Sequence, residues 1–202
     1  MRDHANGYES VAAKYIAGRG TGGTIGARQV RDWAATLVPG GAVLDVGCGP
    51  GYPITQVLVD AGFHVYGVDA SPSMVAACRA RFPNVAIVCE RVESSTFFGR
   101  TFDGVIAWGL LFLLRPSVQE RIIRKVARAL TPNGRFMFTA PRQACEWDDA
   151  MTGRPSLSLG ADRYRRVAEA AGLTVVGETE DEGESHYFMT SRGSSLPTRR
   201  SI

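Results

Sequence analysis

The segment Asp45-Val46-Gly47-Cys48-Gly49-Pro50-Gly51 places a carboxylate directly before three glycines at alternate positions. Glycine lets a chain turn sharply and lets a ligand approach the backbone without a Cβ in the way. A helix that begins near Pro53 would add free N–H groups beside that ligand. A carboxylate suits a ligand that carries an amino group and is a poor neighbour for a pyrophosphate. The segment therefore predicts a binding loop for a ligand with an amino group.

Two other kinds of glycine-rich loop do not fit this segment. A P-loop would end in Gly-Lys-Ser or Gly-Lys-Thr, whereas this chain has Gly51-Tyr52-Pro53. A dinucleotide loop would need a further glycine at Tyr52 or at Ile54. The spacing Asp-x-Gly-x-Gly-x-Gly instead resembles the first motif of class I methyltransferases. The resemblance implies S-adenosylmethionine as cofactor and S-adenosylhomocysteine as product, held by Asp45, Gly47, Cys48, Gly49 and Gly51.

A second carboxylate, Asp69, ends the next predicted strand about twenty residues further on, as one β-α-β unit requires. The resemblance implies that Asp69 accepts hydrogen bonds from both ribose hydroxyls, with Ala70 beside it at the cofactor. The alternative is that Asp69 only caps the following helix. Ser71 could fill that capping role, because serine is a preferred residue at a helix N-terminus.

The segment after the third predicted strand departs from the family pattern. Relatives often carry an aspartate there that receives the adenine amino group, and Arg91 stands at that position here. The resemblance implies that the Val92 backbone N–H reaches the adenine ring and that Glu93 or Glu90 receives the amino group. The alternative is that both glutamates are solvated loop charges.

Ala107 and Trp108 end the fourth predicted strand, where relatives line the chamber for methyl transfer. The Trp108 ring could lie near the sulfonium, and the alternative is a buried core tryptophan. The stretch from Tyr8 to Tyr15 is similar to the lid helix of small-molecule members. Tyr15 and Arg19 would then approach the methionine carboxylate or the methyl acceptor, or else be surface residues.

The sequence does not name the acceptor. The resemblance favours a small molecule, with His186 as the best general-base candidate by its chemistry or else a residue without a role. An RNA or protein methyltransferase is an alternative, with a basic helix face as docking surface, although a solvated stripe is the ordinary interpretation of Arg121, Arg124, Lys125 and Arg128. A further alternative is a non-catalytic binder of S-adenosylmethionine or its product. The spacing of cysteines and histidines predicts no metal site.

These residues need a scaffold, and the order of elements predicts one. Short apolar runs alternate with helical patterns from residue 42 onward, which predicts a doubly wound α/β fold with helices on both faces of the sheet. We expect a mostly parallel seven-stranded sheet that ends in a C-terminal antiparallel hairpin. Residues 1–40 would form an N-terminal helical lid interrupted at Gly18–Gly23, residues 41–191 the Rossmann-like domain, and residues 192–202 a disordered tail.

Length, charge and composition limit the partners. With 202 residues the chain supports one well-filled core. Its net charge of +3 does not argue for nucleic acid, and no apolar run is long enough for a membrane span. We expect a cytoplasmic protein without a membrane partner.

Overall fold

The computed structural model describes residues 5–20 and 24–194, without the side chains of residues 19 and 20. Its strands are β1 (Ala42–Val46), β2 (His64–Asp69), β3 (Ala86–Cys89), β4 (Phe102–Ala107), β5 (Leu130–Thr139), β6 (Ala144–Asp148), β7 (Pro155–Leu159), β8 (Leu173–Glu180) and β9 (His186–Arg192). Its helices are α1 (Ala12–Gly20), α2 (Ala27–Ala34), α3 (Ile54–Asp60), α4 (Pro72–Arg81), α5 (Pro116–Ala129) and α6 (Ala161–Ala170). Two short 3-10 helices lie at Phe97–Gly99 and Leu111–Leu113.

A seven-stranded sheet in the order β3-β2-β1-β4-β5-β9-β8 forms the centre of the molecule. The strands from β3 to β5 run parallel, and β9 is antiparallel to both β5 and β8. The strand order reverses between β1 and β4, and ligands of such sheets bind beyond the carboxyl ends of the strands at this point. The predicted fold class is confirmed.

The core lies on both faces of the sheet. All five residues of β1 are buried, as expected for a central parallel strand. One apolar cluster includes α5, α6 and an aromatic group formed by Phe136, Phe138 and Phe188. The other joins α2 and α3 to the opposite sheet face through Val43, Ile106 and Met137. This packing fixes the strand ends that carry the candidate site.

The N-terminal segment differs in detail from the prediction. α1 begins at Ala12 rather than Tyr8, because Asn6 and Gly7 adopt positive φ angles of 51° and 90° and the chain turns there. α1 also continues through Gly18 to Gly20, where the prediction ended it. Glycine lowers helix stability by about 1 kcal/mol per residue but does not forbid the helix. The tail predicted to be disordered begins at residue 192, but Arg192 is the last residue of β9. Residues 195–202 lie outside the described residues.

A second sheet was not predicted. β6 and β7 pair antiparallel, with Ala144 opposite Leu159 and Asp148 opposite Pro155. The sequence of this stretch predicts no regular secondary structure. Most of β6 is exposed, so the alternation of polar and apolar residues that would have identified it is missing. Among the described helices, none is long and apolar enough to cross a membrane.

Candidate functional site

A cleft lies at the carboxyl edge of the sheet, where β1, β2, β3 and β4 end. Ten of the residues predicted from the sequence line it, namely Tyr15, Asp45, Gly47, Cys48, Gly49, Asp69, Ala70, Val92, Glu93 and Trp108. The fold therefore brings most of the predicted cofactor residues together.

The three loop glycines occupy positive φ angles of 75°, 53° and 82° and serve different purposes. A Cβ on Gly47 would lie 3.1 Å from Leu110, so this glycine permits close packing across the cleft. A Cβ on Gly49 would have only Tyr15 within 4 Å, which leaves open cleft beside the backbone. A Cβ on Gly51 would collide with Phe82 and Cys78, so Gly51 packs against α4 and does not line the cleft.

Cys48 lines the cleft and also packs in the apolar core. It is 8% exposed and belongs to an apolar cluster with Cys78 of α4 and Ile87 of β3. Hydrogen bonding with Cys78, together with burial, raises the pKa of the Cys48 thiol well above its ordinary value. A thiol in this state is a poor nucleophile, and Cys48 therefore serves as a small packing residue.

Asp45 is the penultimate residue of β1 and is 1% exposed. Its Oδ2 accepts a hydrogen bond from the Thr55 hydroxyl at 2.7 Å. Burial, partly offset by this hydrogen bond, raises the pKa of Asp45 to about 7. A cation placed at its cleft side would favour the ionised form and relieve the cost of burying the charge.

Asp69 ends β2 and joins two loops. Its Oδ2 accepts the Gly49 N–H at 2.8 Å, and its Oδ1 accepts the Ser71 N–H at 2.8 Å. Ser71 itself caps α4, because its Oγ accepts the Met74 N–H at 3.2 Å. Burial raises the pKa of Asp69 despite these bonds. A carboxylate has about four acceptor positions, so Asp69 can still accept hydrogen bonds from a ligand in the cleft.

A lysine of α5 forms hydrogen bonds with the loop that follows β3. Lys125 donates to the backbone oxygens of Val92 at 2.7 Å, Glu93 at 3.3 Å and Ser95 at 2.5 Å. Its ammonium also lies 4.4 Å from the centre of the Phe97 ring. Lys125 thereby fixes the backbone that carries Val92 at the cleft. The Glu93 carboxylate pairs with Arg91 at 2.7 Å, and Glu90 also lines the cleft.

Trp108 is anchored by a buried hydrogen-bonded chain. Its indole N–H donates to the Tyr187 hydroxyl at 2.7 Å, and that hydroxyl donates to Asp181 at 2.7 Å. Burial raises the pKa of Tyr187, so it stays neutral. The neighbouring Ala107 is fully buried in the core and does not line the cleft, because successive strand residues face opposite sides of the sheet.

His186 lies away from the cleft. Its ring nitrogens are 3.0 Å from Glu178 and 3.3 Å from Glu180, and the ring packs edge-on against Phe188. It is not among the residues that line the cleft. The predicted base and the predicted cofactor residues are therefore not brought together.

The N-terminal segment closes one side of the cleft. Glu9 accepts hydrogen bonds from the hydroxyls of Ser71 and Ser73 and from the Ser73 N–H. The Tyr8 hydroxyl donates to Asp149 at 3.0 Å, which ties the segment to the turn after β6. The Arg19 side chain, predicted to approach the ligand, lies outside the described residues.

Sequence reasoning missed several residues of the cleft, among them Asn6, Leu113 and Leu114. Asn6 lies in a turn that no local pattern announced, and the leucines lie in a 3-10 helix and its end. Only the prediction of an N-terminal lid could have pointed to the first of them. Among the described residues, no group of three or more His, Cys, Asp or Glu side chains is placed to hold a metal ion.

Comparisons with known proteins show which proteins part of this chain resembles. Residues 43–134 match a family model described as a methyltransferase domain. An uncharacterized methyltransferase of Synechocystis is 32% identical over 111 residues, which is 55% of this chain and 52% of the relative. A Bos taurus protein named "Probable tRNA methyltransferase 9B" is 29% identical over 54% of this chain and 23% of its own length. The chain thus spans about half or less of these curated relatives.

A solved structure supports the fold. The 1,6-didemethyltoxoflavin-N1-methyltransferase of Burkholderia thailandensis, with bound 1,6-didemethyltoxoflavin and S-adenosylhomocysteine, superposes with a TM-score of 0.70. The two chains are 21% identical over 96% of this chain and 92% of the other. At this identity the likeness concerns the fold.

Proposed function

Because residues 43–134 match a methyltransferase domain, we propose that this chain transfers the methyl group of S-adenosylmethionine to a small-molecule acceptor. The observation that carries the proposal is the pair of carboxylates, the buried Asp45 and the half-buried Asp69, at neighbouring strand ends of one cleft. The first suits the amino group of the cofactor's methionine part, and the second suits the ribose hydroxyls.

The other contacts of the proposed cofactor follow from the lining of the cleft. The Val92 N–H would reach the adenine ring from the loop that Lys125 holds, and Tyr15 would cover the methionine part above Gly49. S-adenosylmethionine would supply an activated methyl group on its sulfonium. The protein would contribute orientation, since in-line displacement gains most of its rate from the correct approach of the two reactants. The proposal needs no base from His186.

An acceptor on RNA is the second candidate, because the Bos taurus relative is named for tRNA methylation. The basic face of α5 gives it limited support. Lys125 is committed to the loop after β3, and Arg124 pairs with Glu120 at 3.1 Å. Glu120 also pairs with Arg163 at 2.7 Å. Fewer cations are thus available for phosphates than the sequence suggested.

A methyl-label assay tests the proposal. The protein is incubated with methyl-labelled S-adenosylmethionine and with separated small-molecule, RNA and protein fractions of a cell extract. We expect label in the small-molecule fraction and none with Gly49→Val, whose side chain would project into the cleft from a strained backbone. Label in the RNA fraction would favour the second candidate. Binding of S-adenosylhomocysteine without any transfer would indicate a non-catalytic binder.

A further inference from the structure

Charge is divided unevenly along the cleft. The charged lining residues lie at or just after the ends of β1, β2 and β3 and therefore occupy one half of the sheet edge; they are Asp45, Asp69, Glu90, Arg91 and Glu93. The residues that follow β4 on the other half are Trp108, Gly109, Leu110, Leu113 and Leu114. We call this second half the acceptor half. The segment from Asn6 to Tyr8 also lies against it. A Cβ on Gly7 would touch Thr152 and Arg154, which places this segment against the turn between β6 and β7.

The aromatic walls of the acceptor half present carbon surface. The single N–H of the Trp108 indole is used by Tyr187, and the Tyr8 hydroxyl donates to Asp149. The leucines beside them add apolar surface. A flat, uncharged molecule gains most from such walls, whereas a charged one would lose its hydration without a compensating partner.

One polar group in this half has no hydrogen-bond partner among the described residues. Asn6 lines the cleft, and its Nδ2 is buried without a hydrogen bond to this part of the chain. A buried donor without an acceptor is costly, and a ligand that supplies the acceptor removes that cost. A carbonyl or similar oxygen on the bound molecule would meet this need.

Among the described residues that line the acceptor half, none carries a carboxylate, an imidazole or an amine. We infer that the atom to be methylated has a free lone pair at neutral pH, because none of these described side chains could remove a proton from it. Aliphatic amines are protonated at that pH, and alcohols need deprotonation. A pyridine-type ring nitrogen meets the requirement.

Resting on the proposed function, we propose that the acceptor is an uncharged aromatic heterocycle that is methylated at a ring nitrogen and bonded through an oxygen to Asn6. The ring nitrogen lone pair forms the new N–C bond as the C–S bond of the sulfonium breaks, and sulfur keeps that electron pair. The positive charge moves from sulfur to nitrogen, and no proton has to leave. The charge is dispersed between two atoms during transfer, which suits an apolar chamber.

Four matched compounds test this inference in the label assay. Quinoline carboxamide has the ring nitrogen and the oxygen, quinoline lacks the oxygen, naphthalene carboxamide lacks the nitrogen, and quinoline carboxylate is charged. We expect transfer to quinoline carboxamide, at least about tenfold slower transfer to quinoline and to the carboxylate, and none to naphthalene carboxamide. Equal transfer to the charged compound, or faster transfer to catechol, would overturn the inference.

The variant Asn6→Asp separates the contact from mere folding. Aspartate keeps the size of the side chain and tolerates the positive φ at this position, but it replaces the donor by an acceptor. We expect the rate ratio of quinoline carboxamide to quinoline to fall about tenfold, while S-adenosylhomocysteine binding shows that the protein is folded. An unchanged ratio contradicts the contact. If extract fractions are labelled but no ring-nitrogen compound is, the inference fails and the proposed function stands.

Discussion

Asp69 shows how one side chain can shape a site and also bind within it. It already accepts two backbone N–H groups, from Gly49 and Ser71. In Asp69→Asn the amide oxygen could keep one of these bonds, while the NH₂ group would face the other donor. Calorimetry with S-adenosylhomocysteine should show binding weaker by about 1.5–3 kcal/mol, since charge-assisted hydrogen bonds to the ligand are lost as well.

The matched control for Asp69 is Asp60→Asn, which changes an exposed carboxylate at the end of α3 and should leave binding unchanged. If Asp69→Asn unfolds at the temperature of the parent protein and binds equally well, Asp69 only joins the two loops. The ribose assignment would then be wrong.

The raised pKa of Asp45 predicts that the affinity for the cofactor depends on pH. Its pKa of about 7 means that the unliganded carboxyl is half protonated near neutrality. The ligand's ammonium favours the carboxylate, so binding releases a proton below this pH, and affinity rises as pH increases and levels off above 7. Between pH 6 and 8 we expect about a tenfold gain for S-adenosylhomocysteine. Adenosine, which lacks the amino group, should show no comparable gain. Asp45→Asn should remove the pH dependence, and a persistent slope would assign it to another group.

At the scale of elements, α5 controls the loop that would hold adenine. Lys125 bonds three backbone oxygens of that loop, and loss of its ammonium should let the loop move. For Lys125→Met we expect affinity for S-adenosylhomocysteine to fall about three- to tenfold. The free energy of unfolding should fall by about 1 kcal/mol, because the group is partly solvated. Both are measurable by calorimetry and denaturant titration.

Arg128→Met is the control on the same helix, because Arg128 is exposed. It should change neither quantity by more than experimental scatter. A Lys125→Met protein that loses stability but keeps full affinity would show that the loop holds its shape without the lysine.

For the whole molecule, the sequence predicted the parallel sheet because its central strands are continuous apolar runs, such as Ala42–Val46, separated by helices of ordinary length. It also predicted the strand-end carboxylates, because strand ends in a parallel sheet share one edge. The sequence did not predict most of the acceptor half. β6 has no alternating pattern, and the approach of Asn6 to the cleft depends on contacts between segments about 150 residues apart.

Thermal unfolding tests whether the cleft acts as one binding site. A ligand that bonds the loops after β1, β2 and β3 and lies under Tyr15 stabilises only the folded chain. At a concentration of about one hundred times its dissociation constant, it adds roughly 2.7 kcal/mol by mass action. For a domain of this size that corresponds to a rise in Tm of about 5–10 °C.

S-adenosylmethionine and S-adenosylhomocysteine should both produce this rise in Tm. NAD and ATP should not, because Asp45 and Asp69 repel phosphates and no lysine follows Gly51. A rise with NAD and none with S-adenosylhomocysteine would contradict the cofactor assignment and every role that rests on it.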